Sequence, residues 1–194
     1  QIALAFRIFA LDHDGFYPWH TDPSEGGTYG AFAADPWRNF LAASAELDAP
    51  RILACPSDTA TLSAVTDWKS FAAGTNQNKA LSYFTGLDAY EEVPQAFVAG
   101  DRNISGGGRD KCNSVSVAGV WAQELKAGNT KIIWTNNPVI HRRLGNIALT
   151  DGSVQWSNKR ALTNLVNEAA KALLASDIRN QKGSKISNHV LLPR

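Results

Sequence analysis

His13, His20, His141 and His189 are the only histidines and Cys55 and Cys112 the only cysteines, so nucleophilic or metal-assisted chemistry would be sought around them first. None of the histidines stands in an HExxH or other paired metal spacing, and no GxSxG elbow marks a serine nucleophile. Cys55 and His141 could supply a nucleophile and a base, but nothing in their spacing pairs them. Pro56, directly after Cys55 in CPSD, is not how a reactive thiol is usually set at a helix N-terminus. No catalytic residue is assigned. Asp12-His13-Asp14-Gly15 matches the first half of a calcium loop, which places oxygen ligands at alternate positions about a glycine turn. Asp12 and Asp14 are therefore the calcium candidates. Phe16, Tyr17, Pro18 and Trp19 bring no carboxylate, however, and ligands such as Asp101 or Asp151 would have to come from elsewhere. The stretch reads better as the stop of a helix. GGGRDKCN lacks the Gly-Lys-Ser/Thr step of a phosphate loop and reads as a flexible connection. His141-Arg142-Arg143 could form an anion site, but reads better as a solvated turn or a partner for acidic groups.

The 194 residues are 44% apolar and 19% charged, which suits one globular domain. No window approaches 18 consecutive apolar residues and no signal peptide is visible. The net charge of +1 conceals a split. Residues 1–101 carry 13 acidic and 5 basic side chains, a net of −8; residues 102–194 carry 5 acidic and 14 basic, a net of +9. The basic residues are scattered, without a Lys/Arg block or interleaved stacking aromatics, so nucleic acid is not the expected partner. Pairing of the halves within the fold, or head to tail between copies, is the preferred reading. Cys55 and Cys112, 57 positions apart, fit no CxxC or Cys/His zinc spacing and are either two buried thiols or one disulfide.

The elements that would position these residues begin at once. Ile2, Phe6, Phe9 and Ala10 fall at helical period, and Leu4, Ile8 and Leu11 widen the stripe. Nothing before Ile2 caps that helix, so Gln1 is read as a cut point with the helix continuing upstream. Asp12–Gly15 and Pro18 end it. A long aromatic, Gly- and Pro-rich connection leads to a short helix through Trp37, Phe40, Leu41, Ser44 and Leu47. RILACPSD predicts a brief strand, and Ser57 or Asp58 a weak helix through Leu62 and Val65. ALSYFTGL, QAFVAGD, NSVSVAGVW and TKIIWT predict strands, with ISGGGRDKCN a loop between two of them. In GNIALTDGSVQWSN, Asp151-Gly152 predicts a two-residue hairpin with positive φ at both turn positions. A helix over Arg160–Ala175 and a short strand in HVLLP close the chain. The expected class is α+β: an N-terminal helix laid across a mainly antiparallel sheet, with additional short helices, in one domain.

Several of these segments together resemble bacterial type IV pilin-like proteins, the pseudopilins of type II secretion systems. QIALAFRIFALDHDGFYP resembles the end of their long N-terminal helix, with its Asp-rich, Gly-containing turn followed by an aromatic and Pro. LACPSDT resembles a short Cys-Pro motif of one large divergent group. LSYFTGLDA and VAGDRNI resemble that group's middle strands. HRRLGNIALTDGSVQWSN resembles its closing signature, a His before Gly-Asn, an apolar strand and an Asp-Gly hairpin. The resemblance covers most of residues 1–156; the family's leader and membrane anchor lie outside this sequence. It implies one pilin-like domain, residues 1–13 being the remainder of the long helix and 14–194 the head. It implies a non-enzymatic filament subunit, with other pilin-like subunits and secretion or pilus assembly proteins as partners. An upstream helix would tie it to the inner membrane, leaving a periplasmic head or a filament projecting from it. Ile2, Phe6, Phe9 and Leu11 would fix the helix to the head, Asp151 and Gly152 would be turn residues, and Cys55–Cys112 a disulfide staple. No cofactor is implied; some of these pseudopilins bind calcium, but no residue here matches their loop.

The competing expectation is an exported binding module for carbohydrate or peptide. Trp19, Trp37, Trp68, Trp121, Trp134 and Trp156 would line its groove. Exposed coplanar rings would favour the binder. Buried rings with an apolar-striped helix would favour the filament subunit.

Overall fold

A computed structural model describes residues 1–60 and 65–193. Helix α1 (Ile2–Leu11) opens the chain, and α2 (Pro36–Ala42) and α3 (Ser44–Leu47) follow among tight 3-10 turns. After α4 (Trp68–Ala72) come β1 (Tyr83–Gly86), β2 (Phe97–Asp101), β3 (Ile104–Ser105), β4 (Gly108–Cys112) and β5 (Val120–Glu124). Then come β6 (Ile133–Trp134), β7 (Gly145–Leu149), β8 (Val154–Ser157), α5 (Lys159–Ala175) and β9 (His189–Leu191). Seven strands make one antiparallel sheet in the order β4-β5-β9-β1-β2-β7-β8, while β3 and β6 pair with each other. The α+β class, with its N-terminal helix on a mainly antiparallel sheet, is what the chain adopts.

Alternation along the strands gives the sheet two apolar faces. Phe84, Phe97, Ile147, Leu149 and Val190 pack with Leu162, Val166 and Ala169 of α5. Ala99, Ala148 and Leu191 look the other way, into a larger cluster with Phe6 and Phe9 of α1, Trp19, Trp37 and Phe40. α5 earns its length locally: Asn158 Oδ1 accepts from the Ala161 N–H at 3.0 Å as an N-cap, and its buried residues recur at helical period. α1 has no such side-chain cap, and its first turn closes through the Ala5 N–H to Gln1 O at 2.9 Å. Its end is a left-handed stop in which Asp14 takes φ +53° and the Gly15 N–H reaches back to Ala10 O at 2.8 Å.

Four local expectations differ from the fold. RILACPSD is not a strand: Pro50–Leu53 is a 3-10 turn, because proline at either end leaves too little backbone for a ladder. ISGGGRDKCN is mostly strand, with β3 and β4 separated by Gly106-Gly107; Asp110↔Ala122 and Cys112↔Val120 pairing with β5 overrides the weak local propensity. Only the end of NSVSVAGVW pairs, as β5. The hairpin turn has positive φ at Gly152 alone (+88°). The Leu149 N–H meets Ser153 O at 2.9 Å and the Gly152 N–H meets Leu149 O at 3.0 Å, so the loop is Thr150-Asp151-Gly152 with a left-handed third residue. The helix expected through Leu62 falls partly on residues 61–64, outside the described residues; the helix that is described starts at Trp68, where Asp67 Oδ1 accepts from the Ser70 N–H at 2.8 Å.

Candidate functional site

Helix α1 is apolar on both sides. Ala3, Ala5, Phe6, Phe9 and Ala10 are buried, with the Phe6 ring 5.2 Å from both Trp19 and Phe40 and Phe9 stacked on His13 at 3.9 Å. Ile2 is half-buried against the same core. Leu11 is not part of this packing set, because it is 73% exposed. The reason is angular: Leu4, Ile8 and Leu11 fall at i, i+4 and i+7 on the side away from Phe6 and Phe9, and Leu4 is 59% and Ile8 38% exposed. Leu4 and Ile8 border a groove of about 230 Å³ shared with Leu47, Ala49 and Ile52. Arg7, also on α1, donates from Nη1 to Asp151 O at 3.0 Å, which ties the helix to the hairpin turn. Gly152 is required by the turn, with φ +88°, and a Cβ there would also push against the movable end of the Arg7 side chain.

Beneath the first turn of α1 the separate motifs meet. His141, Arg142 and Arg143 take φ values of +49°, +51° and +65°, a left-handed turn without glycine. The Asn103 amide holds it, donating from Nδ2 to Thr135 O, Ile140 O and Leu144 O at 3.0–3.1 Å. The turn brings His141 Nε2 within 3.6 Å of Cys55 Sγ and 3.7 Å of Asp101 Oδ2. Asp101 also accepts from the backbone and side-chain nitrogens of Asn146 at 2.7 and 3.0 Å. One residue on, Arg102 grips the buried Asp58 carboxylate through Nε and Nη2 at 2.7 and 3.0 Å. Gly145 is required here because a Cβ would lie 2.6 Å from the Trp134 ring. Asp101, His141 and Asn146 close one end of a cavity of about 270 Å³ whose other walls include Ile2, Ala3, Tyr83 and Ala148.

This arrangement pairs the Cys55 and His141 that the sequence left apart, but it does not activate the thiol. Burial pushes the Cys55 thiol up, and the nearby Asp101 and Asp58 carboxylates add to that. Both Cys55 and Asp101 face the same ring nitrogen, so Asp101 does not orient the imidazole from its far side as a nucleophile–base–carboxylate relay needs. Burial likewise raises the Asp101 carboxyl.

A second polar centre lies under β9. Asp88, 2% exposed, accepts from the backbone N–H and Nδ1 of His189 at 2.8 and 2.7 Å, and from Ser114 Oγ and the Cys112 thiol. Burial opposes charge on His189, but the Asp88 hydrogen bond and charge outweigh it and push the imidazole up to about 11. Burial and Asp88 push the Cys112 thiol up. The sequence reading missed this centre: Asp88 and His189 are 101 positions apart, and the one signal was a histidine set in the apolar run HVLLP.

The cysteines therefore do not pair. Cys55 and Cys112 are free thiols, one beside His141 and the other beside Asp88, so the expected disulfide is corrected. Asp12 and Asp14 are exposed around a wide cleft with Asp22 and Glu25, and among the described residues neither belongs to a set of three converging ligand groups. Trp19, Trp37 and Trp134 are buried and Trp68 half-buried. Trp121 is exposed on β5 with the Arg109 guanidinium 4.3 Å from its ring, and Trp156 is exposed on β8. β8 is one edge of the sheet and β5 lies next to the other, with four strands between them, so the exposed rings share no groove. Of the charge split, one Lys/Arg–carboxylate pair among the described residues joins the halves, Arg102–Asp58. No described helix is long and apolar enough to cross a membrane. Comparison with protein-family models, with curated proteins and with solved structures finds no match for this chain.

Proposed function

We propose that this chain is the head and lower helix of a non-enzymatic, pilin-like filament subunit, as its resemblance to pseudopilins implies. The observation that carries the reading is the second apolar face of α1. One side of the helix is spent on the head's own core, and Leu4, Ile8 and Leu11 remain in line on the other. An exposed stripe of large aliphatic side chains marks a surface that meets a partner, and the occupant is α1 of a second copy. The polar centre at His141 supports the reading by what it does structurally. It anchors the strained 141–143 turn beside the start of α1, and its thiol is held protonated rather than activated.

Leu4→Cys with Leu11→Cys in one chain, expressed in the native host, tests the packing. Cys55 and Cys112 are buried, so the introduced thiols react first. A heterologous contact between successive helices gives a ladder of disulfide-linked multimers. Monomers only would overturn the reading, and dimers only would replace an open filament with a closed pair.

A further inference from the structure

We propose that His189, Asp110 and Glu124 form a binding site for a divalent first-row transition-metal ion, with zinc as the representative. The three residues come from neighbouring strands, Asp110 from β4, Glu124 from β5 and His189 from β9. Glu124 stands opposite both Gly108 and His189, and Asp110 lies two residues from Gly108, so the alternation of the strands turns all three side chains to one face. Their ligand atoms all lie within 4.8 Å of one another. Carboxylates gathered together are common and prove nothing alone. The deciding feature is His189, whose side chain is 6% exposed and whose Nε2 is buried without a hydrogen-bond partner. That nitrogen points at the two carboxylates, 3.6 Å from Asp110 Oδ2.

The other ring nitrogen is already committed. Nδ1 is 2.7 Å from Asp88 Oδ2, and Asp88 is itself held by Ser114 and the His189 backbone. A carboxylate on the far nitrogen fixes the ring and aims Nε2 outward, the arrangement that supports histidine ligands of metals; a metal ion bound there takes the place of the Nε2 proton, which leaves to solvent. One imidazole and two carboxylates suit a borderline ion such as zinc, and leave a position open beside the 54%-exposed Asp110 side chain. Cys112 converges with Asp88 and His189 rather than with Asp110 and Glu124, and its thiol donates to Asp88 Oδ1. Lys126 is a counter-charge to Glu124, with Nζ 3.0 Å from Oε2 and a side chain 68% exposed, free to swing into solvent. Ser187 Oγ holds the other Glu124 oxygen at 2.6 Å.

The test is a titration of the chelator-treated protein with zinc chloride by calorimetry, and with cobalt(II) by its visible spectrum. One ion should bind per chain, with a cobalt spectrum that reports nitrogen ligation. Asp110→Asn, at an exposed side chain outside the Asp88 network, should weaken zinc binding at least about tenfold while leaving the circular dichroism unchanged. Lys126→Ala should tighten binding by removing the competing cation. His189→Gln should abolish it, but touches the buried Asp88 contact, so the first two variants decide. No binding by the wild-type chain up to about a millimolar zinc would overturn the site, as would equal affinity in Asp110→Asn.

Discussion

A left-handed turn costs roughly 1–2 kcal/mol for each residue with a Cβ, so His141, Arg142 and Arg143 keep theirs only because other contacts over-determine it. Asn103 is the chief of these, its amide shared among three loop carbonyls. Asn103→Ala leaves those acceptors buried without their donor, and should lower stability by about 2–3 kcal/mol in urea denaturation and expose the loop to protease. An unchanged urea midpoint would refute the role. His20 governs acid sensitivity instead. Burial lowers its imidazole to about 4, against the smaller upward pull of Asp88, and its ring stacks on Tyr90 at 4.2 Å. The folded state thus favours neutral His20: its contribution is full above pH 6.5 and is lost as pH falls from there toward 4. The slope should be at most about 1.4 kcal/mol per pH unit, and His20→Phe, which keeps an aromatic ring in the stack, should flatten it in urea midpoints measured from pH 7 to pH 4.5. At this scale little is legible in sequence. His141 and Asp101 stand in the motifs that carry the resemblance, yet nothing local marks Asn103 as the clamp, because its three acceptors lie 32 to 41 positions away.

At the scale of elements, periodicity finds α1 and α5 and alternation finds the Asp-Gly hairpin, because local pattern and tertiary demand agree there. It fails at β4, where GRDKC is mostly exposed and pairs only because β5 supplies a ladder. It also misassigns Leu11, since a helix whose one polar residue is Arg7 gives little sign of which side the head takes. Substitutions separate the two faces of α1. Phe6→Ala, in the core between Trp19 and Phe40, should cost about 3–5 kcal/mol. Ile8→Glu, on the open side, should change stability by no more than about 0.5 kcal/mol and yet abolish assembly in cells. If Ile8→Glu assembled normally, the stripe would not be an interface.

At the scale of the molecule, the last strand sits between β5 and β1, so the end of the chain closes the sheet that its middle begins. Sequence patterning sees HVLLP as a short apolar segment and cannot see that it is central, since its partners are about a hundred and about sixty-six positions back. A chain truncated after Ser187 should lose cooperative unfolding altogether, because β5 and β1 would be left without a shared neighbour and Asp88 without His189. A cooperative, native-like melt of that truncation would contradict the topology's importance. The two packed faces of the sheet and the open side of α1 are what the proposed filament subunit needs: a head held on a helix that still has a face for other subunits. The most direct test is the N-terminus of the mature protein from its native host, read by mass spectrometry alongside the gene. A pilin-like subunit should show a short basic leader removed before a methylated Phe, then about 20 apolar residues running into α1. An initiator Met close to Gln1, or an ordinary cleavable signal peptide with no apolar helix behind it, would contradict it.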